Sequence, residues 1–278
     1  MTMQTLPHLA VTGVDGHAHV FDRALALTEG RRYTPHYDAT LAQWLGHLDT
    51  HGLSHGVLVQ PSFLGSDNRH LLAAIAQAPQ RLRGVVVVEP GIAAAELERL
   101  HHQGVVGVRL NLMGKPLPDL TAAPWQALLG TVAELGWHVE LHRQVEDIPG
   151  LCQVLRARGC RVVIDHFGRP HASFGVAHPT FQRLLEWGSD GQVWVKVSAL
   201  YRLGGTPQQN LGFARQALPR LLEHFGAQRL VWGSDWPHTQ HEQQVDYAQQ
   251  VRWLDDIAPT AAQRQALVTE GAKTLFGL

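Results

Sequence analysis

The chain alternates between short apolar segments and longer amphipathic segments, and this rhythm strongly limits the folds it can adopt. Eight short segments rich in Val, Ile and Leu predict strands: AVTGVDGHAHV, HGVLVQ, RGVVVV, VVGVRLNL, WHVELH, RVVIDH, VWVKVS and RLVWGSD. Helical patterns lie between them, and Gly104, Gly136 and Gly159 end three of these helices just before the next strand. This order predicts an α/β protein, a (β/α)8 TIM barrel that occupies residues 1–278 as a single domain. A doubly wound open sheet is the alternative, but it is expected to carry a glycine-rich phosphate loop after its first strand, and DGHAHVFD is not one.

Charge and composition narrow the range of partners. The formal net charge is −1 and 45% of the residues are hydrophobic, so we expect a packed core and neither nucleic-acid nor membrane binding. No apolar run reaches membrane-spanning length, and the N-terminal MTMQTLPHLA lacks the order of a signal peptide. Cys152 and Cys160 are the only cysteines, which fits a reducing compartment, and we expect a cytoplasmic location. The sequence leaves a homo-oligomer open.

The segment VDGHAHVF puts Asp15, His17 and His19 at alternating positions of the first predicted strand, Val11 to Val20. Period-two alternation predicts that all three side chains lie on one face. Two adjacent imidazoles at a strand end indicate a metal site or a pair of donors to a carbonyl oxygen. The alternative is a pair of exposed loop histidines.

Polar residues recur where the predicted strands end, which is where a barrel of this type carries its active site. In chain order, these residues are His17, His19, Gln60, Ser62, Arg109, Asn111, His142, Asp165, His166, Ser198 and Asp235. Polar residues scattered at random over the surface are not expected to place three groups of histidines and an aspartate at the ends of the strands. The sequence therefore predicts an active site built from these side chains.

Two chemistries fit the histidines and the aspartate. In the first, His17, His19, His142 and Asp235 bind one Zn²⁺, with His166 nearby, and the metal acidifies a bound water. In the second, which needs no metal, Asp235 takes a proton from water while His17, His19 and His166 donate hydrogen bonds to a carbonyl oxygen. Both describe hydrolysis at a carbonyl group, and the residues alone leave the two open.

A second constellation is cationic and consists of Arg109, Lys115 and Arg202, with Arg169 as a further candidate. Arg109 ends a strand of Val and Leu, where an unpaired charge is costly, and a bidentate ligand carboxylate would satisfy it. The alternative is a salt bridge to a barrel carboxylate such as Glu140. Lys115 and Arg202 lie in loops, where a single charge is usually solvated. Together these cations predict an anionic substrate with more than one carboxylate.

With these residues identified, the chain resembles the amidohydrolase superfamily, and more narrowly its 2-pyrone-4,6-dicarboxylate lactonases and related lactonases and lactone isomerases. The matching segments run in order along nearly the whole chain: DGHAHVF, RRYTP, VLVQPSFLGSDN, RGVVVVEP, GVVGVRLNL, GWHVELH, VVIDHFGRP, VWVKVSALYR and LVWGSDWPH. The resemblance implies a distorted (β/α)8 barrel of the amidohydrolase type and a hydrolase of aromatic compound catabolism that opens a lactone ring by attack of water. It further implies that Asp235 activates the water and that His17, His19 and His166 polarise the lactone carbonyl.

For substrate binding, the resemblance implies that Arg109 and Arg202, with Ser62 and Tyr33, hold the carboxylates of a small anionic lactone. The first candidate substrate is 2-pyrone-4,6-dicarboxylate. Where the subgroup carries a second arginine in the loop after strand four, this chain has Lys115. Lysine keeps the charge but loses the bidentate fork, so the second carboxylate would be held differently.

His142 is a second departure, because the subgroup carries a tyrosine at the end of strand five. We assign His142 to substrate binding and expect no cofactor, since that lactonase type works without a metal. Metal-dependent relatives use a strand-five histidine as a ligand, so one divalent ion, Zn²⁺ or Mn²⁺, is the alternative. The alternative functions are a metal-dependent decarboxylase or lyase, or a lactone isomerase, acting on a related small organic acid.

Overall fold

A computed structural model describes residues 9–258 and 260–278 of the chain. Eight parallel strands follow one another around a barrel in the order of the sequence. They are β1 (Val14–Ala18), β2 (His55–Val59), β3 (Leu82–Val86), β4 (Val105–Asn111), β5 (His138–His142), β6 (Arg161–Ile164), β7 (Val193–Ser198) and β8 (Leu230–Gly233). All eight lie in or overlap the segments predicted as strands, so the (β/α)8 barrel prediction is confirmed.

Helices connect the strands and cover the outside of the barrel. Within the described ranges they are α1 (Leu41–Thr50), α2 (Arg69–Gln77), α3 (Ala94–His102), α4 (Ala123–Glu134), α5 (Ile148–Ala157), α6 (Pro179–Glu186), α7 (Pro207–Phe225), α8 (Tyr247–Ile257) and α9 (Ala261–Phe276). Most strand residues are buried on both faces, which explains why the strands are continuous runs of Val, Leu and Ile rather than alternating ones. The C-terminal α9 contributes Leu275 and Phe276 to an apolar cluster with Val14 and Val231 at the amino ends of the strands. The apolar core therefore fills that end of the barrel and leaves the carboxyl end for polar side chains.

The barrel closes where β1 meets the chain just after β8. The Asp235 N–H donates to the His17 carbonyl oxygen at 2.8 Å, and the His19 N–H donates to the Trp236 carbonyl oxygen at 2.8 Å. This closure fixes the backbone of the two histidines against that of Asp235, so these predicted site residues are brought together by the last hydrogen bonds of the barrel.

Asp15 does not share a face with the two histidines, so this part of the prediction is wrong. The register of β1 against β2 shifts between Asp15 and Ala18, which marks a bulge. Before the bulge, the Asp15 carboxylate points out of the barrel and accepts hydrogen bonds from Trp44 of α1 at 3.0 Å and Tyr247 of α8 at 3.1 Å. After the bulge, the histidines point to the barrel interior and its mouth. Asp15 is thus an anchor for two helices rather than a member of the site.

No helix in residues 9–258 or 260–278 is long and apolar enough to cross a membrane. The segment in which we predict no signal peptide falls mainly on residues 1–8, outside the described residues.

Candidate active site

A cavity of about 280 Å³ opens at the carboxyl ends of the strands. Ligand sites commonly measure roughly 300–1,000 Å³, so this one suits a small molecule. The predicted side chains that line it are His19, Tyr33, Ser62, Arg109, Asn111, His142, His166, Arg169, Arg202 and Asp235. His17 is fully buried directly below the cavity, whereas Lys115 is exposed on the loop after β4, outside the lining.

Asp235 is the central anion of this cavity. One carboxylate oxygen, Oδ2, accepts hydrogen bonds from Tyr201 Oη and Arg202 Nε, both at 2.6 Å. The other, Oδ1, lies 3.5 Å from His17 Nε2 and 3.4 Å from His19 Nε2. Burial alone would raise the pKa of Asp235, but the Arg202 guanidinium holds that pKa well below its usual value. The group is therefore a carboxylate with one oxygen engaged and the other turned to the histidines.

Two histidines are held at Nδ1 by cations that can only donate hydrogen bonds. His17 Nδ1 lies 2.9 Å from Lys196 Nζ, and His142 Nδ1 lies 3.3 Å from Arg109 Nη2. Because ammonium and guanidinium groups have no acceptor, each Nδ1 accepts and the proton of each neutral ring is assigned to Nε2. Burial, followed by these cations, lowers the pKa of both rings well below the usual value and keeps them neutral. Both Nε2 atoms are buried without a hydrogen-bond partner among the described residues, so both are donors available to a ligand.

The other two histidines are oriented differently. His19 Nδ1 lies 2.7 Å from the Val59 carbonyl oxygen and must donate to it, which leaves Nε2 as an acceptor in the neutral ring. His166 Nδ1 lies 2.8 Å from Ser198 Oγ, a hydroxyl that can donate or accept. Burial lowers the pKa of His166 to about 3, so this ring is neutral as well. The four imidazoles therefore offer both donors and acceptors to the cavity.

A cluster of four buried charges lies beneath these rings. Arg109 contacts Glu140 and Asp165, each at 3.1 Å, while Lys196 contacts Glu140 and lies 3.6 Å from Asp165. Both carboxylates are farther from His17 Nδ1, at 3.4 and 3.5 Å, than the lysine nitrogen is. The salt bridge to Glu140, the alternative considered for Arg109, is therefore present, although this guanidinium also lines the cavity. Two cations and two carboxylates make the cluster formally neutral.

Two groups of three side chains bring ligand atoms within 4.8 Å of one another and could hold a metal ion: His17, His19 and Asp235, and His17, Asp165 and His166. His142, the fourth ligand of the predicted zinc shell, belongs to neither group. Both groups need a bare nitrogen on His17, and the hydrogen bond from Lys196 assigns a proton to the nitrogen that faces Asp235. In the group with Asp165, the nearby His17 nitrogen is Nδ1, which already accepts from Lys196. Both groups thus fit a metal by distance, but coordination would require the hydrogen bonding of His17 to change.

The backbone is strained at the ends of three successive strands. His166, Ala199 and Asp235, which follow β6, β7 and β8, have φ angles of 52°, 51° and 56°. A left-handed conformation costs a residue with a Cβ about 1–3 kcal/mol, and it persists only where the surrounding structure enforces it. The strain turns the chain at the cavity rim, as expected for residues whose orientation serves a site.

Sequence reasoning missed several side chains of this site. Tyr201, which donates to Asp235, adjoins Arg202 in the segment ALYR. Lys196 lies in the middle of VWVKVS, where a lysine within a buried apolar strand is itself a signal of a buried partner. Arg32 lines the cavity from the loop before α1 and lies in the matching segment RRYTP, from which only Tyr33 was assigned to the site.

Three comparisons connect this geometry to known proteins. Residues 14–278 match the family model described as amidohydrolase. A 2-pyrone-4,6-dicarboxylate hydrolase of Comamonas testosteroni is 35% identical over 280 residues, covering 96% of this chain and 91% of that protein. A structure from Pseudomonas putida, described as a candidate 2-pyrone-4,6-dicarboxylic acid hydrolase, is 55% identical with a TM-score of 0.92, covering 97% of this chain and 98% of that chain. A candidate hydrolase of the same acid from Acinetobacter baumannii, solved with citric acid bound, is 42% identical with a TM-score of 0.92, covering 96% and 100%.

Proposed function

The chain belongs to the amidohydrolase family, and from this premise we propose that it is a lactonase that hydrolyses 2-pyrone-4,6-dicarboxylate or a closely similar carboxylated lactone. The proposal rests mainly on Asp235, a buried carboxylate whose free oxygen faces imidazole nitrogens at 3.4 and 3.5 Å. A base next to a hydrogen-bond donor, here the Nε2–H of His17, is what water attack on an ester carbonyl requires. The guanidinium groups around the cavity favour an anionic lactone. Citric acid, bound in the Acinetobacter baumannii relative, is also a small polycarboxylic acid.

The first step is proton transfer from water to Asp235. Because Oδ2 is engaged by Tyr201 and Arg202, Oδ1 is the atom that accepts the proton. His19 Nε2, an acceptor 3.4 Å away, would share that proton, which explains why two acceptors face each other in a buried site. The water oxygen then bonds to the lactone carbonyl carbon.

The developing negative charge falls on the carbonyl oxygen. The Nε2–H groups of His17 and His142 are donors with no partner in the described protein, and they would stabilise this oxygen without prior reorganisation. His166 joins them when Ser198 donates to its Nδ1. The carbon–oxygen bond of the ring then breaks, and the ring oxygen takes the proton from Asp235 and becomes an enol. The new carboxylic acid releases its remaining proton to solvent and leaves as a carboxylate. One water is consumed and no oxidant is needed.

We expect no metal ion in this reaction, because the donor tautomer of His17 serves the carbonyl oxygen and opposes coordination.

Cys152 and Cys160 are buried free thiols, which supports a reducing compartment, and a cytoplasmic location is part of this proposal.

Turnover of the purified protein tests the function directly. Incubation with 2-pyrone-4,6-dicarboxylate should abolish the ultraviolet absorbance of the pyrone, and NMR should identify a ring-opened product that carries one added water. A product that keeps a lactone ring would indicate an isomerase instead. Absence of turnover with this and other dicarboxylated lactones would overturn the proposal.

A metal-dependent decarboxylase or lyase is the second candidate, favoured by the ligand distances in the group of His17, His19 and Asp235. For the lactonase, protein purified without chelator should contain substoichiometric metal and should keep its kcat after dialysis against a chelator. Stoichiometric Zn²⁺ or Mn²⁺ would favour the second candidate if its removal abolished activity and its return restored it. Loss of that metal in His142→Ala, but not in the exposed control His36→Ala, would make His142 a ligand.

A further inference from the structure

Three neighbouring imidazoles at the cavity, those of His17, His166 and His142, form what we call the histidine trio. The ring centroid of His166 lies 5.0 Å from that of His17 and 5.0 Å from that of His142, so His166 is the neighbour that the other two share. Each Nε2 atom is buried and has no hydrogen-bond partner among residues 9–258 and 260–278. The position of the proton on each ring therefore decides whether its Nε2 donates to a ligand oxygen or repels it.

The middle ring of the trio differs from the outer two at Nδ1. In the outer rings a cation donates to Nδ1, which assigns their protons to Nε2. The Nδ1 atom of His166 has an uncharged partner instead, the hydroxyl oxygen of Ser198 at 2.8 Å. Because a hydroxyl can donate or accept, the direction of this one hydrogen bond determines the tautomer of His166.

The surroundings of Ser198 favour one direction. Ser198 is the last residue of β7, is 2% exposed and lies outside the cavity lining. Within residues 9–258 and 260–278, the only hydrogen-bond partner of its hydroxyl is His166 Nδ1. If the hydroxyl accepted from His166, its own proton would be buried without an acceptor, which is costly. If the hydroxyl donates, its proton and the ring nitrogen are both satisfied.

The His166 ring is neutral, because burial lowers its pKa to about 3, so it carries a single proton. With Nδ1 accepting from Ser198, that proton is on Nε2. We propose that Ser198 is a positioning residue, which holds His166 in the Nε2–H tautomer and so completes a set of three imidazole donors at the cavity. The effect of Ser198 on rate rests on the proposed function, whereas the tautomer itself does not.

The backbone supports a fixed geometry for this pair. His166 has a φ of 52°, and Ala199, directly after Ser198, has a φ of 51°. A residue with a Cβ keeps this conformation only where the surrounding structure enforces it. The two strained turns, after β6 and β7, therefore hold the imidazole and the hydroxyl at a set distance from each other.

The opposite tautomer of His166 would hinder the proposed reaction. Its Nε2 would then present a lone pair to a carbonyl oxygen that gains negative charge, next to two rings that donate to the same oxygen. Ser198 thus affects the rate through His166, without a contact to the substrate.

NMR of protein labelled with ¹⁵N-histidine tests the tautomer without any substrate. A protonated ring nitrogen and a bare one resonate in separate regions, and the His166 signals are identified by their loss in His166→Gln. In the wild-type protein at neutral pH, Nε2 should give the signal of a protonated nitrogen and Nδ1 that of a bare nitrogen. Ser198→Ala removes the donor to Nδ1, so both signals should move towards values intermediate between the two tautomers. Ser198→Thr keeps a hydroxyl and should keep the wild-type signals.

Steady-state kinetics on 2-pyrone-4,6-dicarboxylate measures the consequence for rate. Ser198→Ala should lower kcat by about 10- to 100-fold, the usual effect of removing a residue that orients an active-site imidazole. KM should change far less, because Ser198 lies outside the cavity lining. Ser198→Thr should restore most of kcat.

Ser173→Ala is the matched control, because it removes a hydroxyl that lies 2.7 Å from Nδ1 of the exposed His171. It should leave the His166 signals and kcat unchanged, and circular dichroism should show that all variants are folded. A His166 proton on Nδ1 in the wild-type protein, or His166 signals in Ser198→Ala that match the wild type, would overturn the inference. If the signals are as expected while no carboxylated lactone is hydrolysed, the proposed function fails and the assignment of Ser198 stands.

Discussion

Replacement of Asp235 by Asn is expected to lower kcat on 2-pyrone-4,6-dicarboxylate by about 100- to 10,000-fold, the usual contribution of a positioned general base. The amide oxygen can still accept from Tyr201 and Arg202, so the arrangement around the side chain should persist. The amide nitrogen then occupies the position of Oδ1 and cannot take a proton from water. Because the proposed mechanism gives Asp235 no contact with the substrate carboxylates, KM should change far less than kcat. Steady-state kinetics on both proteins measures the two effects separately.

Asp256→Asn is a suitable control, because Asp256 is an exposed carboxylate of α8 whose contact is a surface ion pair with Arg215. It should keep the wild-type kcat, and a similar kcat in Asp235→Asn would remove Asp235 from the mechanism.

The pH profile adds a second check. Since Arg202 holds the pKa of Asp235 well below its usual value, the base is present above that lowered pKa and is lost only below it. Lowering the pH from about 7 to about 5 should therefore not reduce kcat/KM through this group.

The sequence predicts the architecture well because the signal is repeated. Eight apolar segments, each buried on both faces, leave few alternatives to a parallel barrel, and all of them are strands. The strand-end rule then brings together side chains from β1, β4, β5, β6 and β8, as the cavity lining shows. Asp15 marks the limit of such reasoning, since alternation assumes a regular strand and the bulge in β1 reverses its side chain.

Pair contacts are harder to predict than strand ends. The charge of Arg109 is evident in the sequence, but whether it meets Glu140 or a ligand depends on which residues of adjacent strands lie level with each other. The register of β4 against β5 pairs these two residues directly. The tautomers of His17 and His142 depend in turn on the hydrogen bonds that Lys196 and Arg109 donate to these rings. The choice between a metal and a carbonyl oxygen therefore lay beyond the sequence, because it depends on protons assigned by three-dimensional neighbours.

Replacement of Lys196 by Met is expected to reduce the free energy of unfolding by about 3–5 kcal/mol, the usual cost of breaking a buried ion pair from one side. Lys196 is fully buried, contacts Glu140 and donates to His17 Nδ1. Methionine fills a similar volume, so the loss would reflect uncompensated charge rather than a cavity. Glu140 and Asp165 would then share only Arg109, and one negative charge would remain buried without a partner. Denaturant unfolding followed by circular dichroism measures the change.

Lys273→Met is the matched control, because it makes the same chemical change at an exposed position of α9 and should alter stability by less than about 0.5 kcal/mol. The double variant Lys196→Met/Glu140→Gln removes one charge of each sign and should recover much of the loss, which a double-mutant cycle quantifies. Equal effects of Lys196→Met and Lys273→Met would contradict the buried ion pair. No recovery in the double variant would mean that Lys196 acts mainly through His17. The cycle thus separates the two contacts of the lysine, one that balances charge in the barrel and one that fixes the proton on the His17 imidazole.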